Sequence, residues 1–176
     1  MNEIREYAVK LLIIGDPAVG KTSLIKKFVS DQFSNDYRAS IGTNLFLTKI
    51  QLDPTTNVKI AIWDIAGHEK WINSRQIYYS GTRGAIIVGD VTRPETFEQI
   101  EKFWYPDVMK SCKKAPIILL ANKNDLNDET SDNNIIDLGN RINAASTIFT
   151  SAKTGDNVEK AFRVIAEHTV NKSFPS

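Results

Sequence analysis

A chain of 176 residues, 41% hydrophobic and 24% charged, has the size and composition of one globular domain and excludes a disordered chain. Its net charge of +1 gives no electrostatic footprint for a nucleic-acid partner, and no run approaches the roughly 20 apolar residues of a membrane span. The single cysteine, Cys112, excludes an internal disulfide and reads as a plain free thiol near a helix end, suited to a reducing, cytoplasmic compartment.

The start, Met1-Asn2-Glu3-Ile4-Arg5-Glu6, is mixed in charge and lacks the pattern of a signal peptide, and Asn2 stands where myristoylation would need glycine. A short apolar run predicts a strand over 7–14, followed by a glycine-bearing loop and a helix over 21–30. Residues 45–52 alternate, and the turn Asp53-Pro54-Thr55-Thr56-Asn57 joins them to a strand over 59–64, so this pair is expected to be antiparallel and at an edge. A helix over 71–79 precedes a buried strand over 84–90, then a long helix over 95–111 and a strand over 116–121. A helix over 132–144, a strand over 147–150 and a helix over 158–171 complete the series. The last helix opens on Asp156-Asn157-Val158-Glu159, which reads like a capping box. Lys172-Ser173-Phe174-Pro175-Ser176 offers neither a cysteine for prenylation nor a polybasic run, so the chain as given is read as soluble with no lipid anchor evident; peripheral membrane association is not supported by these residues and is not excluded by them.

Strand–helix alternation implies an α/β fold: one domain over 1–176, with its core over about 7–170 and no linker or repeat dividing it. Six strands would form a mostly parallel sheet with one antiparallel edge strand and helices on both faces, joined by right-handed crossovers. Ligands of such sheets sit beyond the carboxyl ends of the strands, where every motif below falls.

Gly15-Asp16-Pro17-Ala18-Val19-Gly20-Lys21-Thr22 fits G-x-x-x-x-G-K-[ST] between a strand and a helix, the signature of a P-loop NTPase domain. Glycines let the backbone fold tightly around oxyanions, N–H groups point inward, and the helix N-terminus adds positive potential. Lys21 supplies a charge to the outer phosphates, and the Thr22 hydroxyl suits Mg²⁺. Asn122-Lys123-Asn124-Asp125 and Thr150-Ser151-Ala152-Lys153 then select guanine. Asp125 can accept from both donors of that base, and the Ala152 N–H can donate to its O6. Adenine presents the reverse pattern and leaves Asp125 unpaired. Lys123 and Lys153 can lay their stems over the base faces. In Trp63-Asp64-Ile65-Ala66-Gly67-His68-Glu69, Asp64 is placed to hold Mg²⁺ through water, and Gly67 allows its N–H close to the γ-phosphate.

With these motifs in order, joined by Asp90-Val91-Thr92 and Thr96-Phe97, the chain resembles the Ras superfamily of small GTPases, most closely its Rab-like branch, over about residues 7–170. The resemblance implies GTP or GDP as ligand, with Asp16, Ala18, Val19, Ser23 and Ser151 completing the binding set. It implies a first-switch hydroxyl on Mg²⁺ and the γ-phosphate eighteen residues after Thr22, which is Ser40, with Thr43 as the alternative. An aromatic against the guanine edge falls on Phe33, whose other reading is a core phenylalanine at a helix end. Segments 36–44 and 66–80 become the switches that meet effectors, with exchange and activating proteins as further partners. Lys21, Ser40, Gly67 and His68 become the catalytic set.

Three departures bear on hydrolysis. Pro17 stands where relatives usually carry Gly or Ser; it either obstructs a partner's arginine or only stiffens the loop. His68 replaces a glutamine that orients water, and neutral imidazole can do the same, as in translational GTPases; the other reading is a solvated switch residue. Ser40 lacks the methyl that would restrict its rotamer, which implies a looser triphosphate state. Arg38 is a candidate built-in arginine finger or an effector-facing residue, and His168 reads as structural. The main expectation is a switch that hydrolyses GTP slowly. The alternatives are a nucleotide-binding interaction module with negligible hydrolysis and a P-loop kinase, the latter lacking a segment long enough for a substrate lid.

Overall fold

Branched apolar residues on both faces of a strand demand cover on both sides, and the order of elements supplies it. In chain order these are β1 (Arg5–Ile14), α1 (Lys21–Ser30), β2 (Asp36–Ser40), β3 (Thr43–Asp53), β4 (Thr56–Ile65), α2 (Ile72–Tyr79), β5 (Gly84–Asp90), α3 (Pro94–Gln99), α4 (Tyr105–Ser111), β6 (Ile117–Asn122), α5 (Asp132–Arg141), β7 (Ser146–Phe149) and α6 (Val158–Ser173). The computed structural model describes residues 3–30, 36–40, 43–67 and 72–175, and for 36–40 and 72–74 the backbone alone.

The strands form one sheet in the order β2-β3-β4-β1-β5-β6-β7. β1 runs parallel to β4 and β5, β5 to β6, and β6 to β7, whereas β3 is antiparallel to both neighbours. The six expected strands are present. A seventh, β2, pairs Asp36 with Leu47 through Ser40 with Thr43, which moves β3 one place in from the edge. Asp-Tyr-Arg-Ala-Ser is too short and polar to announce a strand; pairing with β3 makes it one. The hairpin between β3 and β4 turns where expected, with the Asp53 carboxylate accepting from Thr55 N–H and Oγ1 at 2.8 Å each.

Alternation along β1 feeds two cores. Val9, Leu11 and Ile13 meet α1 and α6, and Leu12 and Ile14 meet the α3–α4 side. Phe28 of α1 stacks on Phe162 of α6 at 4.2 Å and 9°, so the helix that follows the glycine-bearing loop is locked to the C-terminal helix. The expected long helix over 95–111 is interrupted by a π-helical turn, Ile100–Trp104, between α3 and α4. A wider turn re-aims the side chains after it, and here it presents Trp104. The Arg75 guanidinium lies 4.9 and 5.0 Å from the rings of Phe103 and Trp104, and 3.4 Å from Asp107, which also accepts from Tyr79 Oη at 2.9 Å. Arg75 is 1% exposed, so cation–π attraction and this ion pair offset its desolvation.

Other boundaries shift slightly. α5 ends at Arg141, before Asn143 turns left-handed (φ 51°), and β7 begins and ends one residue early. The capping box of the last helix does not form: Asn157 is the cap residue with φ 54° and no side-chain cap bond, and its amide donates to Phe149 O at 2.9 Å. The side chain serves the loop instead of the helix end.

Replacing Phe162 with Ala removes the stacked partner of Phe28 from a fully buried site and is expected to cost about 3–5 kcal/mol in urea unfolding. A loss below about 1 kcal/mol would show that α1 is not anchored there.

Candidate nucleotide-binding site

The site lies at the carboxyl ends of β1, β4, β5 and β6, with the loop after β1 at its centre. That loop is held by its carbonyls. Gly15 O and Asp16 O accept from Lys21 Nζ at 2.9 Å each. Pro17 O accepts from Arg93 Nη2 at 2.8 Å, Ala18 O from Lys123 Nζ at 3.0 Å, and Val19 O from Asn122 Nδ2 at 2.9 Å. Gly20 O accepts the first helical N–H of α1, from Leu24, at 2.9 Å. In a planar trans peptide the C=O and the following N–H point in opposite directions. Drawing the carbonyls of 17, 18 and 19 toward Arg93, Lys123 and Asn122 therefore turns the N–H groups of Ala18, Val19 and Gly20 to the other side.

This path carries backbone strain. Ala18 is left-handed at φ 62°, a conformation that costs a non-glycine residue on the order of 1 kcal/mol. Gly20 has φ 99°, and a Cβ there would meet Asn122 Nδ2 at 2.3 Å, so only glycine keeps the Asn122 bond.

Lys21 is buried at the loop's base. Burial pushes its ammonium down to about 8, opposed by the nearby Asp64 and Asp16 carboxylates and reinforced by Arg93. The Thr22 hydroxyl donates to Asp64 Oδ2, and Asn44 Nδ2 lies 3.4 Å from the same oxygen. One hydroxyl and one carboxylate, from α1 and β4, thus meet beside the loop. Gly67 lies directly against it: a Cβ there would come within 2.6 Å of Gly15 O, 2.7 Å of Pro17 N and 2.8 Å of Asp16 C. Pro17 and Ala18 are exposed at the rim, and Ser23 is exposed on the first turn of α1.

The other half is organised by Asn122, which is 1% exposed. While its amide nitrogen holds Val19 O, its Oδ1 accepts from Thr150 Oγ1 and from Ala152 N–H, both at 3.2 Å. The Ala152 N–H expected to face a base is thus engaged, through a long bond. Ser151 Oγ donates to Asp125 Oδ1 at 2.7 Å, and Asp125 and Lys153 are exposed. Lys123 is left-handed at φ 66°, and its ammonium is pinned 2.6 Å from Asp90 Oδ2.

Three contributors escaped sequence reading. Asp90 is fully buried at the end of β5. It accepts from Thr92 N–H and Oγ1 at 2.9 and 2.7 Å, and its Oδ2 faces Lys123 and Arg93 Nε, the latter at 3.2 Å. Burial alone would raise its carboxyl, but the Lys123 and Thr92 contacts hold it below the ordinary value. The signal available was a carboxylate ending an otherwise apolar strand, which demands a cation. Arg93 follows three residues later. Trp104, aimed by the π-helical turn, donates its indole N–H to Asp16 Oδ1 at 2.7 Å.

Of the remaining candidates, Phe33 and His68 lie outside the described residues, and Ser40 and Arg38 are described as backbone of β2. The second expected switch includes α2. Thr43, the alternative to Ser40, is buried at the start of β3. His168 is exposed on α6, and Cys112 is a buried free thiol whose ionisation burial pushes up. Among the described residues no helix is long and apolar enough to cross a membrane.

Residues 10–171 match the Ras family model. The chain is 40% identical to "Ras-related protein Rab-32A" of Dictyostelium discoideum, covering 93% of this chain and 78% of that protein. It is 37% identical to "Ras-related protein Rab-32" of Homo sapiens, over 99% of this chain and 81% of that protein. "Ras-related protein Rab-7L1" of Rattus norvegicus is 33% identical over 96% and 85%.

The Lys21 ionisation gives a pH test. With the ammonium at about 8 in the open loop, it is largely neutral at pH 9 and largely charged at pH 7. An anion beside it favours the charged form again, so GDP binding is expected to take up more protons at about pH 9 than at about pH 7. Calorimetry in buffers of different ionisation enthalpy reads this directly; equal uptake at both pH values would place Lys21 away from the phosphates.

Proposed function

The chain belongs to the Ras family, a GTP-binding molecular switch that hydrolyses GTP, and from that premise we propose how its own residues hold the nucleotide and act on it. The observation that carries the proposal is the run of loop carbonyls drawn away by Arg93, Lys123 and Asn122, which leaves the N–H groups of Ala18, Val19 and Gly20 to converge on phosphate oxygens. Lys21, already at the loop's base, supplies charge to the outer phosphates, and the start of α1, with Thr22 and Ser23, adds its dipole.

Thr22 and Asp64 form a small all-oxygen set beside the phosphate position, the donor chemistry of Mg²⁺, with Ser40 as the third oxygen from the first switch. Thr22 and Ser40, with Asp64 through water, are the residues that would hold a magnesium ion, which would supply positive charge to the outer phosphates. The Thr22 hydroxyl donates to the Asp64 carboxylate, so the two oxygens face one position beside the loop. In hydrolysis, water attacks the γ-phosphorus and the bond to the GDP oxygen breaks. The protein's share is position and charge. Lys21 holds charge on the transferred group, the Gly67 N–H donates to it, and His68 holds the attacking water through one acceptor and one donor nitrogen. Because Gly67 packs on the backbone of residues 15–17, the γ-phosphate position and the second switch are mechanically joined.

For the base, Asp125 accepts the two guanine donors and Ala152 exchanges its long bond to Asn122 for O6. The pinned Lys123 stem and the exposed Lys153 stem cover the ring faces, and Phe33 its edge. Membership implies effector, exchange and activating proteins in general. Segments 36–44 and 66–80 are the surfaces we assign to them, in a monomer acting in the cytoplasm.

Asp125→Asn exchanges an acceptor for a donor toward the base's exocyclic position, where guanine carries an amine and xanthine a carbonyl. Binding of GDP is expected to fall by about 100-fold or more while xanthosine diphosphate binds better. Unchanged discrimination in a competition assay would remove Asp125 from the base site. For the chemical step, His68→Ala is expected to lower the single-turnover GTP hydrolysis rate by about tenfold or more while GDP affinity holds. An unchanged rate would leave His68 without a part in positioning water.

A further inference from the structure

Two of the three side chains that pull the loop carbonyls outward belong to the guanine-reading segment, but Arg93 does not. It sits on the turn after β5, a separate element with its own anchorage. Asp90 ends β5, Arg93 N–H donates to Asp90 O at 2.9 Å, and Thr96 Oγ1 closes the turn by accepting from Asp90 N–H at 2.9 Å and donating to Arg93 O at 2.7 Å. Pro94 then starts α3 with its backbone preset. The Arg93 Cα is therefore fixed before its side chain is considered. Its guanidinium is then fixed through two different nitrogens, Nε to the buried Asp90 Oδ2 at 3.2 Å and Nη2 to Pro17 O at 2.8 Å.

The same Oδ2 holds Lys123 at 2.6 Å, and Lys123 donates to the next carbonyl along, Ala18 O. One buried carboxylate thus steers two cations onto consecutive peptides of the loop. The peptide gripped by Arg93 lies between Pro17, whose ring fixes φ but leaves ψ free, and the left-handed Ala18. The free ψ of Pro17 is the torsion that decides where this carbonyl and the Ala18 N–H point. Arg93 closes it.

We propose that Arg93 is a positioning residue for the phosphate loop: bridging Asp90 to the Pro17 carbonyl, it sets the Pro17–Ala18 peptide so that the Ala18 N–H faces the phosphates. This rests on the reading of residues 15–22 as the phosphate site. Arg93 acts through the peptide and touches no reacting atom in this account. Its charge is near enough to help depress the Lys21 ammonium, so a purely electrostatic role is the rival explanation. The two roles differ in geometry: a lysine keeps the charge, and one ammonium can span two oxygens as Lys123 does, but Asp90 Oδ2 already holds that ammonium, and a second single nitrogen does not reproduce the fixed spacing with which Arg93 reaches Asp90 and Pro17 O from separate nitrogens.

The test is the release rate of a fluorescently labelled GDP from the full chain for wild type, Arg93→Ala and Arg93→Lys, each also in a Pro17→Gly background. Arg93→Ala is expected to speed release about tenfold, the size of one hydrogen bond from a charged donor, with Arg93→Lys recovering less than half of that change. Glycine at 17 frees φ as well as ψ, so loss of Arg93 is expected to accelerate release more in that background than in wild type, a coupling that general destabilisation would not produce. Melting of each GDP-loaded variant confirms folding; the Arg93 side chain is about a third exposed, and its removal leaves the turn and α3 intact. Release unchanged in Arg93→Ala, full recovery by Arg93→Lys, or strict additivity with Pro17→Gly would overturn the proposal. Wild-type protein that fails to retain GDP would overturn the phosphate-site reading beneath it.

Discussion

A loop can aim several N–H groups at one point only if the carbonyls on the same peptides are satisfied somewhere else, and here that condition shapes much of the structure. From residue 15 to residue 20 each carbonyl has a donor: Lys21 for the first two, Arg93, Lys123 and Asn122 for the next three, and α1 for the last. Those donors come from the ends of β5 and β6 and from the loop's own helix, so the sheet order is also the wiring of the site. The strain at Ala18 persists because its neighbours over-determine it.

The same anchoring explains how distant segments are coupled. Asn122 touches Val19 with one atom and Thr150 and Ala152 with another, so the segments 122–125 and 150–153 and the loop 15–22 share a single buried amide. Asp16 is held by Trp104, whose ring faces the buried Arg75 of α2. Gly67 rests on the loop backbone from the opposite direction. Residue 67 and the loop backbone are therefore joined by direct packing, and Trp104 ties the same loop to α2.

Much of this was legible in the residues. The pattern Gly15 to Thr22 names its own chemistry, and the helix beginning at Lys21 and the strand from Gly84 to Asp90 fall where periodicity places them. What escaped shares a cause: it depends on pairings between residues far apart in the chain. Arg93 meets Pro17 across 76 positions and Trp104 meets Asp16 across 88, and no local pattern encodes either contact. β2 is a strand only because β3 lies beside it, and no local pattern announces the π-helical turn at Ile100–Trp104. At the last helix the local motif was present, but Asn157 found a better partner in Phe149 O.

The account stands or falls on the direction of the loop N–H groups. Amide hydrogen exchange followed by NMR on the GDP-bound chain reads it residue by residue. Ala18, Val19 and Gly20 are expected to exchange at least about a hundredfold more slowly than exposed loop amides, and to lose that protection when the nucleotide is removed. Exchange at the exposed-loop rate with GDP bound would mean that these groups do not hold the phosphates, and the outward pull on residues 17–19 would have no bearing on binding.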